Sequence, residues 1–316
     1  MCKLNLPMMN MGDTNSETIT AGNPIRNATP DRNPKIAVLA AGFCRIWTFR
    51  LGLKGGGALI RMIQRLFPGI QRFNLNYPEL GCCNISFLDF FWIRQVTLGV
   101  GEEKALLENI SSLVGTSPVV WDVGANSGYL AAEILLRLKP ARLDLFEPNS
   151  AHRQTLESLA ALDSRVRVHM IGLSDRSGNR ILHIPRDEDG GSTCASLETS
   201  VVAGCNSLNY EEITLECGDD LVATGVAPPP DLLIIDVEGH EAEVVKGLET
   251  TIRIARPLIA LEHLFISDAT LERILPEGYQ LFTVCDKTCQ LIEGISRQRG
   301  HNTLMIPTGE TVLQNI

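Results

Sequence analysis

The feature that most constrains the fold is a regular alternation of short apolar runs and longer amphipathic stretches between residues 102 and 263. Short apolar runs are typical of buried strands, and stretches with a 3.6-residue period are typical of helices. We predict helices at 102–113, 127–138, 149–162 and 240–248, and strands at 118–123, 142–146, 166–172, 181–185, 232–236 and 258–263. Alternating strands and helices form right-handed crossovers. The pattern therefore predicts an α/β fold with a doubly wound, mostly parallel sheet.

Length and composition indicate one main domain with an accessory segment, since 316 residues with 44% hydrophobic content can bury a large core. We divide the chain into a flexible tail (1–34), a basic N-terminal accessory or cap region (35–115) and the main α/β domain (116–316). No apolar run reaches the roughly 18 residues that a membrane-spanning helix needs, and no signal peptide is evident. A cytoplasmic location is therefore expected.

Charge is distributed unevenly along the chain. Eight Lys or Arg residues and no Asp or Glu lie between Arg32 and Pro78, so the rest of the chain carries −17 against a total of −9. An apolar face and a basic face in residues 58–67 indicate a helix that packs on the main domain or contacts a membrane surface through the basic segment 35–72. The acidic body argues against a nucleic-acid partner. The nine cysteines are an odd number without paired spacing, which predicts neither a disulfide framework nor a zinc site.

The first predicted strand leads into a glycine turn in the stretch VVWDVGANSGYL, Val119 to Leu130. The dinucleotide pattern G-x-G-x-x-G and the triphosphate pattern G-x-x-x-x-G-K both fail here. A carboxylate in such a turn repels phosphate and attracts a cation, and S-adenosylmethionine carries an ammonium and a sulfonium group. The turn therefore predicts a site for S-adenosylmethionine, with the candidate residues Asp122, Gly124, Ala125, Asn126 and Gly128.

The next two strands also end in polar residues. Glu147 ends the second strand, in LFEPN, 25 residues after Asp122, where a carboxylate can accept hydrogen bonds from ribose hydroxyls. Asn149 follows it in the same motif. Ser174 and Asp175 end the third strand, where they either bracket the adenine or form a simple turn.

The last two strands end in the densest groups of titratable side chains. The motif IDVEGHE supplies Asp236, Glu238 and His240, and LIALEH supplies Glu262 and His263. Such groups at the mouth of a sheet can serve as a general base or bind a divalent metal. The catalytic candidates are Asp236, Glu238, His263 and His240; Asp236 is the first choice and is also a candidate cofactor contact. Mg²⁺ is a further candidate ligand, although no residue is assigned to it, and His263 has the alternative interpretation of a structural, hydrogen-bonded histidine.

These motifs, in this order and at these separations, resemble the FkbM-type class I S-adenosylmethionine-dependent methyltransferases over about residues 118–263. The resemblance implies a seven-stranded Rossmann-like sheet and methyl transfer to a hydroxyl of a sugar, glycan or polyketide-type natural product. It does not cover the tail, the basic segment or the insertion 186–209, which we expect to cover the substrate.

Two alternatives to this function stay open. One is a methyltransferase that acts on a lipid-linked or membrane-surface acceptor through the basic segment. The other is a non-catalytic module that binds S-adenosylmethionine, because a fold alone does not determine function. The partner expected in the main case is a small-molecule or glycan substrate, and the sequence does not indicate an oligomeric state.

Overall fold

The computed structural model describes residues 72–77, 80–86, 104–186, 194–205 and 207–309. The predicted tail, the predicted amphipathic helix and nearly all of the basic segment 35–72 lie outside the described residues. The described residues belong to two compact units. One contains an antiparallel hairpin formed by β1 (Arg72–Tyr77) and β2 (Gly81–Ser86).

The second unit is the α/β body. Its helices are α1 (Lys104–Leu113), α2 (Tyr129–Arg137), α3 (Arg153–Leu162), α4 (Gly218–Ala223), α5 (Glu241–Lys246), α6 (Glu249–Ala255) and α7 (Asp268–Ile274). Its strands are β3 (Val119–Val123), β4 (Arg142–Phe146), β5 (Val166–His169), β6 (Gly172–Ser174), β7 (Gly178–Pro185), β8 (Leu208–Cys217), β9 (Leu232–Ile235), β10 (Leu258–Glu262), β11 (Tyr279–Val284), β12 (Leu291–Glu293) and β13 (Asn302–Pro307). Helix α1 falls in this unit, although the sequence analysis assigns it to the accessory region.

The main sheet has the order β12-β11-β13-β10-β9-β3-β4-β5. The five strands from β10 to β5 are parallel, whereas β13, β11 and β12 pair antiparallel. The chain winds outward from β3 through β4 to β5 and then returns to β9 on the other side of β3. The α/β class and the doubly wound parallel core are confirmed. The reversal between β3 and β9 is the point at which such sheets bind ligands.

The inner parallel strands are largely buried, as expected for a sheet that helices cover on both faces, whereas only Val166 is buried in the edge strand β5. All four residues of β9 are buried, and so are the last four of both β3 and β4. Trp121 packs on Phe146 with 4.9 Å between ring centroids, and its indole Nε1 donates to the Pro228 carbonyl at 3.0 Å. This rigid centre fixes the loops that follow β3, β4 and β9.

One predicted strand number and two predicted element boundaries are wrong. The main sheet has eight strands among the described residues rather than seven, because the short strand β12 pairs with the outer edge of β11. The predicted strand 166–172 is two strands, since β5 pairs with β4 whereas β6 pairs with β8 in a separate sheet of order β6-β8-β7. The predicted helix 240–248 ends at Lys246, because Gly247 caps it and α6 begins at Glu249.

The predicted insertion 186–209 contains the start of β8 and a described segment, Cys194–Cys205, that returns to the sheet. Ser196 pairs with His183 through two backbone hydrogen bonds of 2.9 and 3.0 Å. This pairing holds the segment beside β7. Within the described part of the chain, no helix has the length and apolar character needed to cross a bilayer.

Candidate active site

The loop after β3 has the tight left-handed geometry that its sequence predicts. Gly124, Asn126 and Gly128 all have positive φ, at 89°, 51° and 81°, and α2 begins at the next residue. A Cβ on Gly124 would lie 1.7 Å from the Asp236 carbonyl oxygen, so only glycine fits where the β3 and β9 loops meet. The two loops therefore form one continuous surface at the reversal point of the sheet.

Glu147 connects this loop to the end of β4. Its Oε2 accepts from the Asn126 backbone N–H and its Oε1 from the Asn149 N–H, both at 2.8 Å. The Asn149 Oδ1 accepts from Ala151 N–H at 3.0 Å and caps a 3₁₀ turn, whereas the Asn149 Nδ2 is buried without a hydrogen-bond partner among the described residues. A carboxylate has about four lone-pair sites, so Glu147 keeps acceptor capacity for a ligand.

Three carboxylates are buried together around these loops. Burial, then repulsion from Asp236 and Glu147, raises the pKa of Asp122 to about 7. Burial also raises the pKa of Glu147 to about 7, although the two backbone hydrogen bonds that Glu147 accepts lower this pKa in part. Asp122 Oδ2 and Asp236 Oδ1 are buried without a hydrogen-bond partner among the described residues. Such a group favours a ligand that brings positive charge or hydrogen-bond donors.

A cleft opens at this point, lined by residues from the ends of β3, β4, β6 and β9. The predicted site residues that line it are Gly124, Asn126, Glu147, Asp236, Glu238 and His240. None of the described lining residues is Lys or Arg. The cleft is therefore acidic and does not suit a nucleotide phosphate.

The acidic edge of the cleft combines the ends of β9 and β10. One oxygen each of Asp236, Glu238 and Glu262 lies within 4.8 Å of the others. Burial raises the pKa of Asp236, while a hydrogen bond with Glu262 lowers it. Burial, then repulsion from Asp236 and Glu241, raises the pKa of Glu238 to about 8. Glu238 also has a left-handed φ of 54°, which is uncommon for a residue with a side chain.

His240 lies at the centre of a hydrogen-bond network that joins three segments. Its side chain is 3% exposed, Nδ1 lies 2.9 Å from Glu198 Oε1, and Nε2 lies 2.9 Å from Ser174 Oγ. Because a carboxylate only accepts, Nδ1 donates to Glu198, and in the neutral ring Nε2 accepts from the Ser174 hydroxyl. Ser196 Oγ donates to the Glu238 carbonyl at 2.6 Å. Both ring nitrogens are thus occupied, which fits a positioning role better than proton transfer.

The remaining predicted residues lie at the periphery of the cleft or behind it. Asp175 pairs with Lys246 at 2.6 Å, which lowers the pKa of the carboxyl. His263 is 1% exposed, and its Nδ1 lies 2.6 Å from Thr303 Oγ1 on β13. Burial lowers the pKa of His263. Asp122, Ala125, Gly128, Asn149, Ser174, Asp175 and His263 are not among the residues that line the cleft.

Sequence reasoning missed the apolar wall of the cleft. Pro148, Leu173, Leu182, Ala195 and Leu197 line it, and the last two come from the described part of the insertion. Pro148 follows Glu147 directly and could have been found from the LFEPN motif. Ala195 and Leu197 carry no local signal, because their contact with the cleft depends on the pairing of Ser196 with His183.

Residues 122–283 match the model of the protein family described as "Methyltransferase FkbM domain". The chain is 31% identical over 164 residues to the hexuronic acid methyltransferase AglP of Haloferax volcanii, a match that covers 51% of this chain and 62% of the relative. It is also 30% identical over 153 residues to the 2-O-methyltransferase NoeI of Sinorhizobium fredii. That match covers 45% of this chain and 62% of the relative.

A crystal structure of a methyltransferase FkbM from Methylobacillus flagellatus is similar over 60% of this chain and 43% of that chain, with 20% identity and a TM-score of 0.40. The matches to the two curated relatives span less than two thirds of the relatives' length.

Proposed function

Because the chain belongs to the FkbM methyltransferase family, we propose that it is an S-adenosylmethionine-dependent O-methyltransferase that acts on a hydroxyl of a sugar, glycan or polyketide-type natural product. The observation that carries this proposal is the acidic cleft at the reversal point of the sheet, which Glu147, Asp236 and Glu238 line and to which no described Lys or Arg contributes. The names of the two curated relatives, a hexuronic acid methyltransferase and a 2-O-methyltransferase, favour a sugar hydroxyl.

The cleft residues fit S-adenosylmethionine part by part. The free lone pairs of Glu147 would accept the ribose hydroxyls, and the wall of Pro148, Leu173 and Leu197 would cover the purine base. Asp236 and the backbone of the Gly124 loop would hold the positively charged methionine part, and the buried Asp122 behind the loop would add negative potential. When bound, this cofactor supplies a methyl group activated by its sulfonium.

The remaining task of the protein is to hold the acceptor hydroxyl and remove its proton. Asp236 is the best-placed base, because the residue lines the cleft and its Oδ1 has no hydrogen-bond partner among the described residues. Glu238 lies beside Asp236, with a carboxylate oxygen within 4.8 Å of an Asp236 oxygen, and would orient the acceptor.

The carboxylate oxygens of Asp236, Glu238 and Glu262 would also suit Mg²⁺. This alternative stays a prediction. Removal of metal with a chelator, followed by readdition of Mg²⁺, tests whether activity depends on the ion.

Transfer of a labelled methyl group is the direct test of the proposed function. The protein is incubated with methyl-labelled S-adenosylmethionine and an extract of the organism that makes it, and the labelled product is identified by mass analysis. A methylated carbohydrate or polyketide-type product supports the proposal. Cofactor binding without any labelled product would instead support the non-catalytic binding module. Association with anionic liposomes in a flotation assay would favour the membrane-surface alternative.

The buried carboxylates predict a dependence of stability on pH. Since burial raises the pKa of Asp122 and Glu147 from about 4 in the unfolded chain to about 7, their protonated forms are favoured in the folded protein. The stabilisation is complete below pH 4 and is lost as the pH rises through 7. We expect the Tm of the ligand-free protein to fall between pH 5.5 and pH 8.

The same carboxylates predict that a cationic ligand stabilises the protein more at high pH. S-adenosylmethionine should raise the Tm more at pH 8 than at pH 6, because its charge compensates the ionised carboxylates. Thermal unfolding with and without the ligand measures both effects. The D122N variant should show a smaller dependence on pH, and a ligand effect that does not change with pH would contradict the electrostatic account.

The network around His240 predicts that Glu198 supports cofactor binding. In the E198A variant the ring loses its Nδ1 acceptor and the segment bearing Leu197 loses one of its attachments. We expect the Kd for S-adenosylhomocysteine to rise about 3- to 10-fold, the usual effect of one hydrogen bond. E198Q should restore binding, since its amide oxygen also accepts. Calorimetry measures both, and E157A on the exposed face of α3 is the control.

A further inference from the structure

Two adjacent apolar side chains are exposed just beyond the end of β10. Leu264 is 55% exposed and Phe265 is 47% exposed, and they are the only consecutive pair among the exposed large hydrophobic residues of the described chain. Exposed apolar groups of this kind often mark ligand-binding surfaces. Their place in the fold, two and three residues after Glu262, is at the same sheet edge as the acidic cleft.

The backbone around this pair is fixed from both sides. Arg297 Nη1 donates to the His263 carbonyl at 2.6 Å, and Arg297 Nη2 donates to the Ile266 carbonyl. Arg297 Nε also donates to Asp268 Oδ1 at 2.5 Å, and the Ile266 side chain is buried in the core. The two residues between these attachments cannot fold inward without breaking them. The exposure of Phe265 is therefore built into the loop.

Phe265 lies beside the mouth of the cleft. A Cβ added to Gly239 would be 3.5 Å from Phe265 Cβ, and Gly239 lies between Glu238 and His240, which both line the cleft. The oxygens of Glu238 and Asp236 approach that of Glu262 at the end of β10. The base of the Phe265 side chain thus lies beside the segment that carries Glu238, at the same end of the sheet as the carboxylates.

We infer that Phe265 is the stacking platform of an acceptor subsite, and that the acceptor is an uncharged pyranoside. This inference rests on the proposed function and narrows its substrate class. A pyranose ring has an apolar face of C–H groups, whose partial positive charge matches the negative face of an aromatic ring. Its hydroxyls are hydrogen-bond donors, which Asp236 and Glu238 can accept. A uronate would add a like charge beside these carboxylates and is disfavoured.

Steady-state kinetics with defined acceptors test this subsite. The probes are the methyl glycosides of glucose, mannose, galactose and rhamnose, with methyl glucuronide as the charged counterpart. For the best neutral acceptor we expect F265A to raise KM about 3- to 10-fold, the usual effect of one aromatic contact. The kcat and the Kd for S-adenosylhomocysteine should stay unchanged. F265W should restore KM, and I254A, which removes an even more exposed apolar side chain from α6, is the control.

A second readout does not depend on turnover. Tryptophan fluorescence of F265W, compared with wild type at saturating S-adenosylhomocysteine, should change saturably with a neutral pyranoside and not with sorbitol. If wild type transfers no methyl group to any pyranoside while F265W still responds, the subsite stands and the proposed reaction on sugars is contradicted. An unchanged KM in F265A, no fluorescence response to any pyranoside, or a preference for the glucuronide would each overturn the inference.

Discussion

The D236N variant is expected to lose about 10²- to 10⁴-fold in kcat for methyl transfer, the usual contribution of a general base. Asparagine keeps the shape of the side chain and can still hydrogen-bond Glu262, but it cannot take a proton. The buried, unpartnered Oδ1 of Asp236 is the atom that would receive it. Binding of S-adenosylhomocysteine should weaken far less than kcat falls, because that product lacks the sulfonium charge and the asparagine amide oxygen can still accept a hydrogen bond from its ammonium group.

Kinetics and calorimetry separate this role from a structural one. The wild-type kcat should rise with pH through the pKa of the base, and the D236N profile should be flat. D220N makes the same chemical change at an exposed position of α4 and should behave as wild type. D236N with more than about one tenth of wild-type activity would remove Asp236 as the base, since general-base catalysis contributes at least about 10²-fold.

The E147A variant is expected to bind S-adenosylhomocysteine about 10²- to 10⁴-fold more weakly. The Glu147 carboxylate would accept both ribose hydroxyls, and hydrogen bonds to charged groups contribute about 1.5–3 kcal/mol each. The substitution also removes the acceptors of the Asn126 and Asn149 backbone N–H groups, so we expect a lower Tm as well. Calorimetry and thermal unfolding measure the two effects.

Asp219 provides a matched control for the loss of stability. Its two carboxylate oxygens accept from the Thr250 and Thr251 backbone N–H groups at 2.9 and 2.8 Å, as those of Glu147 do from Asn126 and Asn149. Asp219 does not line the cleft. D219A should therefore lower the Tm without weakening the ligand. If D219A weakened binding as much as E147A, the effect of Glu147 would be one of stability alone.

The parts of the site that could be predicted from the sequence are those that a local motif determines. The Gly124 turn follows from glycine and asparagine positions in one loop, and Glu147 follows from its place at the end of the next strand. The parallel core was predictable because buried strands and amphipathic helices alternate. These features depend on residues close together in the chain.

The parts that could not be predicted depend on pairing between distant segments. The run from Val166 to Ser174 contains no proline or polar turn cluster, yet β6 leaves the main sheet because it pairs with β8, some 40 residues later. His240 was predicted as a catalytic group, but its partners Glu198 and Ser174 come from two other segments. The exposure of Phe265 depends on Arg297, about 30 residues away. No single stretch of sequence indicates these contacts.

The central claim is that the acidic cleft at the reversal of the sheet holds a positively charged methyl donor. Calorimetric titration of the full chain with S-adenosylmethionine at pH 7.5, in parallel with NAD⁺, tests it most directly. We predict saturable binding of one S-adenosylmethionine per chain with a Kd no weaker than about 100 μM, within the range usual for enzyme substrates, and no saturable heat with NAD⁺. Saturable binding of NAD⁺, or no binding of S-adenosylmethionine, would contradict the claim.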